Sequence, residues 1–137
     1  MVMILSVLPV DFQFFNNSPK FGLVTIDEPI VSSREIILQL DEFNDDDSIE
    51  GIILRLDTPG GTVAPSQEIY EKVKSISESN TKPIVASISS IAASGGYYIA
   101  VGADTIMANK GSLTGSIGVV MNYPIMIDFL KHYGFDY

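Results

Sequence analysis

A serine set among the smallest residues, Ala92-Ala93-Ser94-Gly95-Gly96-Tyr97-Tyr98, is the first place in this chain where a side chain could do covalent chemistry. A second is the corner Asp57-Thr58-Pro59-Gly60-Gly61, directly after the apolar run Gly51-Ile52-Ile53-Leu54-Arg55-Leu56. A nucleophilic hydroxyl needs room beside it for a carbonyl group, and backbone N–H groups aimed at the oxygen that turns negative. Small neighbours leave the room, and glycine lets the main chain come that close. A helix that starts at the serine adds the positive end of its dipole. Taken singly, Ser-Gly-Gly is an ordinary turn and Pro-Gly-Gly an ordinary strand-to-helix corner. Here each follows a short β-rich run, and the two runs can lie side by side in one sheet. The pair then reads as a nucleophile and an oxyanion hole.

The elements that must hold these corners alternate. Phe21 to Ile26 is apolar and β-branched, a strand preceded by the turn Asn16-Asn17-Ser18-Pro19. Ser32 and Glu35 have capping-box spacing, and Ile36, Ile37, Leu40 and Phe43 follow at helical intervals. Gly51 to Leu56 is a continuous apolar run, expected to be a strand buried on both faces. Ser66 to Ile76 carries Ile69, Val73 and Ile76 on one stripe among charged residues, an amphipathic helix. The order repeats with a strand over Pro83 to Ile88, a small-residue helix over Ala93 to Val101 and a strand over Thr105 to Ala108. A last helix over Ile125 to Tyr133 is expected to turn Met126, Ile127 and Leu130 inward. Such alternation predicts an α/β domain with parallel pairings. In such folds the site lies beyond the carboxyl ends of the strands, where both corners fall.

Composition narrows the function. The 137 residues are one domain by length, 46% hydrophobic, with a net charge of −9. That charge leaves no basic face for phosphates and speaks against nucleic-acid binding. The acidic group Asp41, Glu42, Asp45, Asp46, Asp47 and Glu50 reads as a solvated helix end and turn, because the ligand spacing and glycine of a calcium loop are missing. Without cysteine there is no thiol nucleophile, disulfide or thiolate metal site. The single histidine, His132, makes no metal cluster by itself, and neither metal nor cofactor is expected. No segment has the length of a membrane-spanning helix. The apolar opening, Met1 to Val10, fits a buried first strand, the tail of a removed anchor or part of a signal segment.

From about Phe21 onward the chain resembles the signal peptide peptidase A type of serine peptidase. The residues that carry the resemblance are Leu56-Asp57-Thr58-Pro59-Gly60-Gly61, Lys82-Pro83-Ile84-Val85-Ala86, Ala92 to Ala100, and Leu113-Thr114-Gly115-Ser116-Ile117-Gly118-Val119. One departure is Asp27-Glu28-Pro29-Ile30, where the family has a glycine before the proline; that segment is expected to lie outside the site. The resemblance implies the Clp protease/crotonase-like α/β fold of repeated strand-strand-helix units, with residues 1–20 an N-terminal segment and 21–137 part of the peptidase domain. It implies Ser94 as nucleophile, the N–H groups of Gly61 and Gly95 as oxyanion hole, Gly60 as the turn residue, and Ser116 beside the general base. In the family that base is a lysine, and its position falls beyond Tyr137, so that this chain alone is expected to be inactive. Lys110, in Asn109-Lys110-Gly111, reads as an exposed turn residue. Lys131 and His132 read as ordinary cationic residues of a helix end. The substrate implied is a signal-peptide remnant or another apolar peptide. The parent protein is expected to be a homo-oligomer, membrane-associated through a segment outside this chain, with its site on the extracytoplasmic face. Three other readings use the same corners: a Clp-type Ser-His-Asp peptidase, for which only His132 is available; a crotonase-like acyl-CoA enzyme, which has no need of Ser94; and an inactive scaffold.

Overall fold

The computed structural model describes residues 18–79, 81–123 and 125–134. The apolar run Met1 to Val10 and the Asn16-Asn17 half of the expected turn lie outside these residues. The elements are β1 (Lys20–Ile26), α1 (Arg34–Asp45), β2 (Ile49–Thr58), α2 (Val63–Ser79), β3 (Ile84–Ala93), α3 (Gly95–Ala100), β4 (Thr105–Ala108), β5 (Leu113–Gly115) and α4 (Ile127–His132). The strands form one sheet in the order β1-β2-β3-β4, with β5 also on β3, and every pairing is parallel. This is a Clp/crotonase-like α/β fold. β3 carries two neighbours in succession: Val85 to Ile88 pair with β4, and Ile91 to Ala93 pair with β5.

The core forms where the two periodicities meet. Alternate strand residues Val24, Ile26, Ile52, Leu54, Leu56, Ile84, Ala86 and Ile88 turn to one face and pack against Leu40 of α1, Ile69, Val73 and Ile76 of α2, and Ile99 of α3. β2 is therefore not buried on both faces. Ile53 is exposed and Arg55 half-buried, because α1, α2 and α3 all cover the same side of the sheet. On the other side the Arg55 guanidinium donates to the Ser87 and Ser89 hydroxyls at 3.0 and 2.7 Å.

Three local expectations are replaced by longer-range contacts. The capping box of Ser32 and Glu35 does not form. The residue that caps α1 is Ser33, which makes no side-chain capping bond and instead donates to Glu68 of α2. The far end of α1 lacks a basic residue of its own, and Lys82 donates its ammonium to the Phe43 carbonyl at 2.8 Å and to that of Asp46. A cation there satisfies carbonyls that a helix end leaves open. At the start of α4, Met126 and Ile127 are exposed rather than inward, and among the described residues none of that helix joins the core.

The start of β3 is tied to the turn before β4. Asp104 donates its N–H to the Ile84 carbonyl at 3.0 Å, and its carboxylate accepts the Ile84 N–H at 2.8 Å. That N–H, with the Ser77 hydroxyl, holds the Asp104 carboxyl below the usual carboxylate range. The strand that carries the serine is thus anchored at its entry.

Candidate active site

β3 runs to Ala93 and α3 begins at Gly95, so Ser94 is the single residue of a sharp strand-to-helix turn. Its backbone sits at φ 51°, ψ −119°, a conformation that an L-residue with a side chain rarely holds. Two bonds on either side hold it there. The Ser94 N–H donates to the Gly115 carbonyl at 2.8 Å, and the Ser94 carbonyl accepts the Tyr98 N–H at 2.9 Å. The helix that follows has only six residues, so local N–H groups matter more here than a macrodipole.

Gly60 meets this turn from β2. Its φ of +96° favours glycine, and a Cβ there would stand 2.6 Å from the Ala93 oxygen, 2.8 Å from the Gly95 nitrogen and 2.9 Å from the Ser94 Cβ. The two corners read from the sequence therefore touch. Gly61 lies against a third segment. Ile30 donates its N–H to the Gly60 carbonyl at 3.0 Å, and its own carbonyl accepts the Thr62 N–H at 2.8 Å and the Thr62 hydroxyl at 3.0 Å. A Cβ on Gly61 would collide with the Ile30 backbone. None of Asp27-Glu28-Pro29-Ile30 is among the residues that line the cleft described below, but the end of this segment holds the Gly60-Gly61 corner from behind. No protein acceptor takes the N–H of Gly61 or Gly95 among the described residues.

Ser116 reaches the same place through β5. Ala93 pairs with Gly115, so Ser94 and Ser116 are the next residues along two adjacent parallel strands. Gly115 at φ 95° and Ser116 at φ 53° turn the chain there. Ser94, Gly60, Gly61, Gly95 and Ser116 all line one cleft of about 1040 Å³. Val63, Tyr98 and Val101 line it from α2 and the end of α3, and Ile117, Val119 and Val120 line it from the segment after β5. The Tyr98 ring is stacked on Tyr70, with centroids 4.3 Å apart and planes at 18°, which ties the α3 part of this lining to α2. Among the described residues no Asp, Glu, Lys, Arg or His lines the cleft. Lys110, Lys131 and His132 are exposed elsewhere, the last with its ring edge-on to Tyr133. Among the described residues no group of acidic or histidine side chains could hold a metal ion.

Two further supports were not legible in advance. Ser66, almost fully buried, donates to the Thr62 carbonyl at 2.8 Å and fills the space that a Cβ on Gly95 would need. Thr58, completely buried, bonds both the Gly60 N–H and the Glu28 carbonyl. Only Thr58 left a signal, as a hydroxyl residue two positions before a turn glycine, the pattern of an ST-turn.

Fold and corner geometry define a class, that of Clp/crotonase-like α/β proteins with a serine at a strand-to-helix corner. Comparison with known proteins gives its relatives. The model of peptidase family S49 matches residues 76–137. A Synechocystis sp. protein named as a protease is 46% identical over 103 residues, covering 74% of this chain and 36% of its own length. Protease 4 of Haemophilus influenzae is 30% identical across 95% of this chain and 22% of its own length. The chloroplastic serine protease SPPA of Arabidopsis thaliana is 35% identical over 77% of this chain and 15% of its own. Among solved structures, a membrane-bound stomatin-specific protease, as a serine-to-alanine mutant, superimposes with a TM-score of 0.64 at 25% identity, covering 78% of this chain and 52% of that one. Over residues 76–137 the chain is similar to peptidase family S49, and its curated relatives include proteases of the signal peptide peptidase A type. It spans between 15% and 36% of the length of these three curated relatives.

Proposed function

We propose that this chain carries the nucleophile and the oxyanion hole of a Ser–Lys endopeptidase. Ser94 Oγ attacks the peptide carbonyl carbon and gives its proton to a lysine Nζ. The carbonyl oxygen, now negative, accepts the N–H groups of Gly61 and Gly95. The lysine returns the proton to the leaving amine, an acyl ester remains on Ser94, and water hydrolyses it by the same steps. The lysine is supplied from outside residues 1–137, beside Ser116, which orients it. It must be buried enough to be neutral at the working pH, since burial disfavours the ammonium form. The observation that carries this reading is the contact of the two corners. The Gly60-Gly61 turn abuts Ser94-Gly95, and among the described residues neither the Gly61 nor the Gly95 N–H has a protein acceptor and no charged side chain lines the cleft.

The substrate class is an extended peptide with small or apolar side chains, such as a signal-peptide remnant, lying along the apolar lining of the cleft and pairing through its backbone. Residues 21–137 belong to the peptidase domain and residues 1–20 precede it. The exposed apolar residues Ile117, Val119, Val120 and Met121 are the kind of surface that association covers, in keeping with a homo-oligomeric parent protein. Attachment to a membrane, with the site on the extracytoplasmic face, is assigned to a segment other than the described residues, where no helix is long and apolar enough to cross one. The test uses the full-length protein and a quenched fluorescent apolar peptide. Ser94→Ala is expected to lower turnover by about 10³-fold or more without loss of folding, and turnover retained in the alanine variant would refute the assignment. Residues 1–137 alone are expected to be nearly silent toward the same peptide; robust Ser94-dependent cleavage by them would place the base inside this chain.

A further inference from the structure

Besides the bond from the Thr62 hydroxyl to the Ile30 carbonyl, four hydrogen bonds surround Gly61 without using its N–H. Two of them are made by the backbone of Ile30, to the Gly60 carbonyl and from the Thr62 N–H. The other two belong to one side chain. The Thr58 hydroxyl accepts the Gly60 N–H at 3.1 Å and donates to the Glu28 carbonyl at 2.7 Å. One oxygen thus fastens both the glycine corner and the loop whose end, Ile30, grips that corner. The residue is completely buried, and its bond to the Gly60 N–H is closed to bulk water. Its methyl group faces elsewhere, against the position where Gly96 of α3 would carry a Cβ. Hydroxyl and methyl therefore have separable duties: the first orders the corner, the second packs α3 onto β2.

Resting on the peptidase reading above, we propose that Thr58 is a positioning residue for this site, whose hydroxyl sets the direction of the Gly61 N–H. The need for such a device follows from Gly60. At φ +96° glycine is at home, but it also has wide freedom to leave that conformation. A side-chain bond from Thr58 to the Gly60 N–H removes that freedom in the manner of an ST-turn. An oxyanion hole acts through donors fixed before the reaction, so a corner free to rotate loses transition-state stabilisation without losing substrate affinity.

Thr58→Val is nearly isosteric, keeps the methyl contact with α3 and deletes both hydrogen bonds. Thr58→Ser keeps the hydroxyl and deletes the methyl. In the full-length protein, the valine variant is expected to lose about 10- to 100-fold in kcat with KM within about twofold, a fraction of the loss from deleting one donor outright. The serine variant is expected to stay within about threefold of the parent kcat even where its melting temperature falls. Amide hydrogen exchange at Gly60 is expected to accelerate in the valine variant and not in the serine variant. A valine variant at parental kcat, or a serine variant as impaired as the valine one, overturns the proposal. Turnover independent of Ser94 in the parent would instead defeat the peptidase reading, and exchange at Gly60 would then decide alone whether the hydroxyl orders the corner.

Discussion

Replacing Gly60 by alanine asks whether the two corners depend on each other as closely as their geometry requires. The substitution meets two penalties. An alanine held at φ +96° is in left-handed backbone, which costs an L-residue about 1–2 kcal/mol. Its methyl would also stand 2.6 Å from the Ala93 oxygen and 2.9 Å from the Ser94 Cβ, where neither neighbour is the free end of a flexible chain. Overpacking of that kind costs about 1–3 kcal/mol, so the total loss of stability is about 2–5 kcal/mol. Relief can come only by moving the Ser94 turn or the Gly61 N–H, and a displacement of about 1 Å in a reacting constellation costs about 10²-fold in rate. Gly111→Ala is the control, because its Cβ would meet nothing within 4 Å and its φ is not positive. Thermal unfolding and peptide hydrolysis of the full-length protein read both effects. If Gly60→Ala matched Gly111→Ala in melting temperature and in kcat/KM, the contact between the corners would have no energetic meaning and the reasoning would fail.

Three other outcomes follow from the packing and the charges. Leu54→Ala, at a fully buried position of β2, is expected to cost about 2–5 kcal/mol of stability by urea unfolding, and a loss under 1 kcal/mol would show a core other than the one described. Lys82→Met removes the donor to the Phe43 and Asp46 carbonyls and is expected to cost about 1 kcal/mol, visible as faster amide exchange in the last turn of α1 and absent if water replaces the ammonium fully. Asp104 has a folded-state pKa lowered by the Ile84 N–H and the Ser77 hydroxyl, so its contribution is complete above the unfolded value near 3.8 and is lost as pH falls through the folded value. Asp104→Asn should flatten the acid limb of a stability–pH curve, and an unchanged limb would remove Asp104 from the account.

What could be read in the sequence was whatever the local chain decides. The strand cores at Val24, Leu54 and Ala86 follow from β-branched and apolar runs, and the corners at Gly60-Gly61 and Ser94 follow from residues that permit turns and close approach. Where a contact joins distant segments, local signals misled. Ile30 gave no sign that it would grip Gly60 and Thr62, because a backbone bridge is made by any residue that topology brings alongside. Ser33 abandons the local cap for Glu68, thirty-five residues away in sequence. β5 has three residues, Leu113-Thr114-Gly115, too few for periodicity, and exists because the end of β3 offers it an unpaired edge. The open face of the sheet at Ile53 and Arg55 was hidden for a related reason: an apolar run does not say how many of its faces the rest of the fold will cover.

The central claim, that Ser94 is the nucleophile served by the Gly61 and Gly95 N–H groups, is tested most directly by trapping. The full-length protein is treated with a peptidyl phosphonate bearing small apolar side chains, digested, and searched by mass spectrometry for the adduct. A single adduct on Ser94 is expected, absent from Ser94→Ala and strongly slowed in Gly60→Ala. An adduct on another residue, or labelling that persists in Ser94→Ala, would contradict the account.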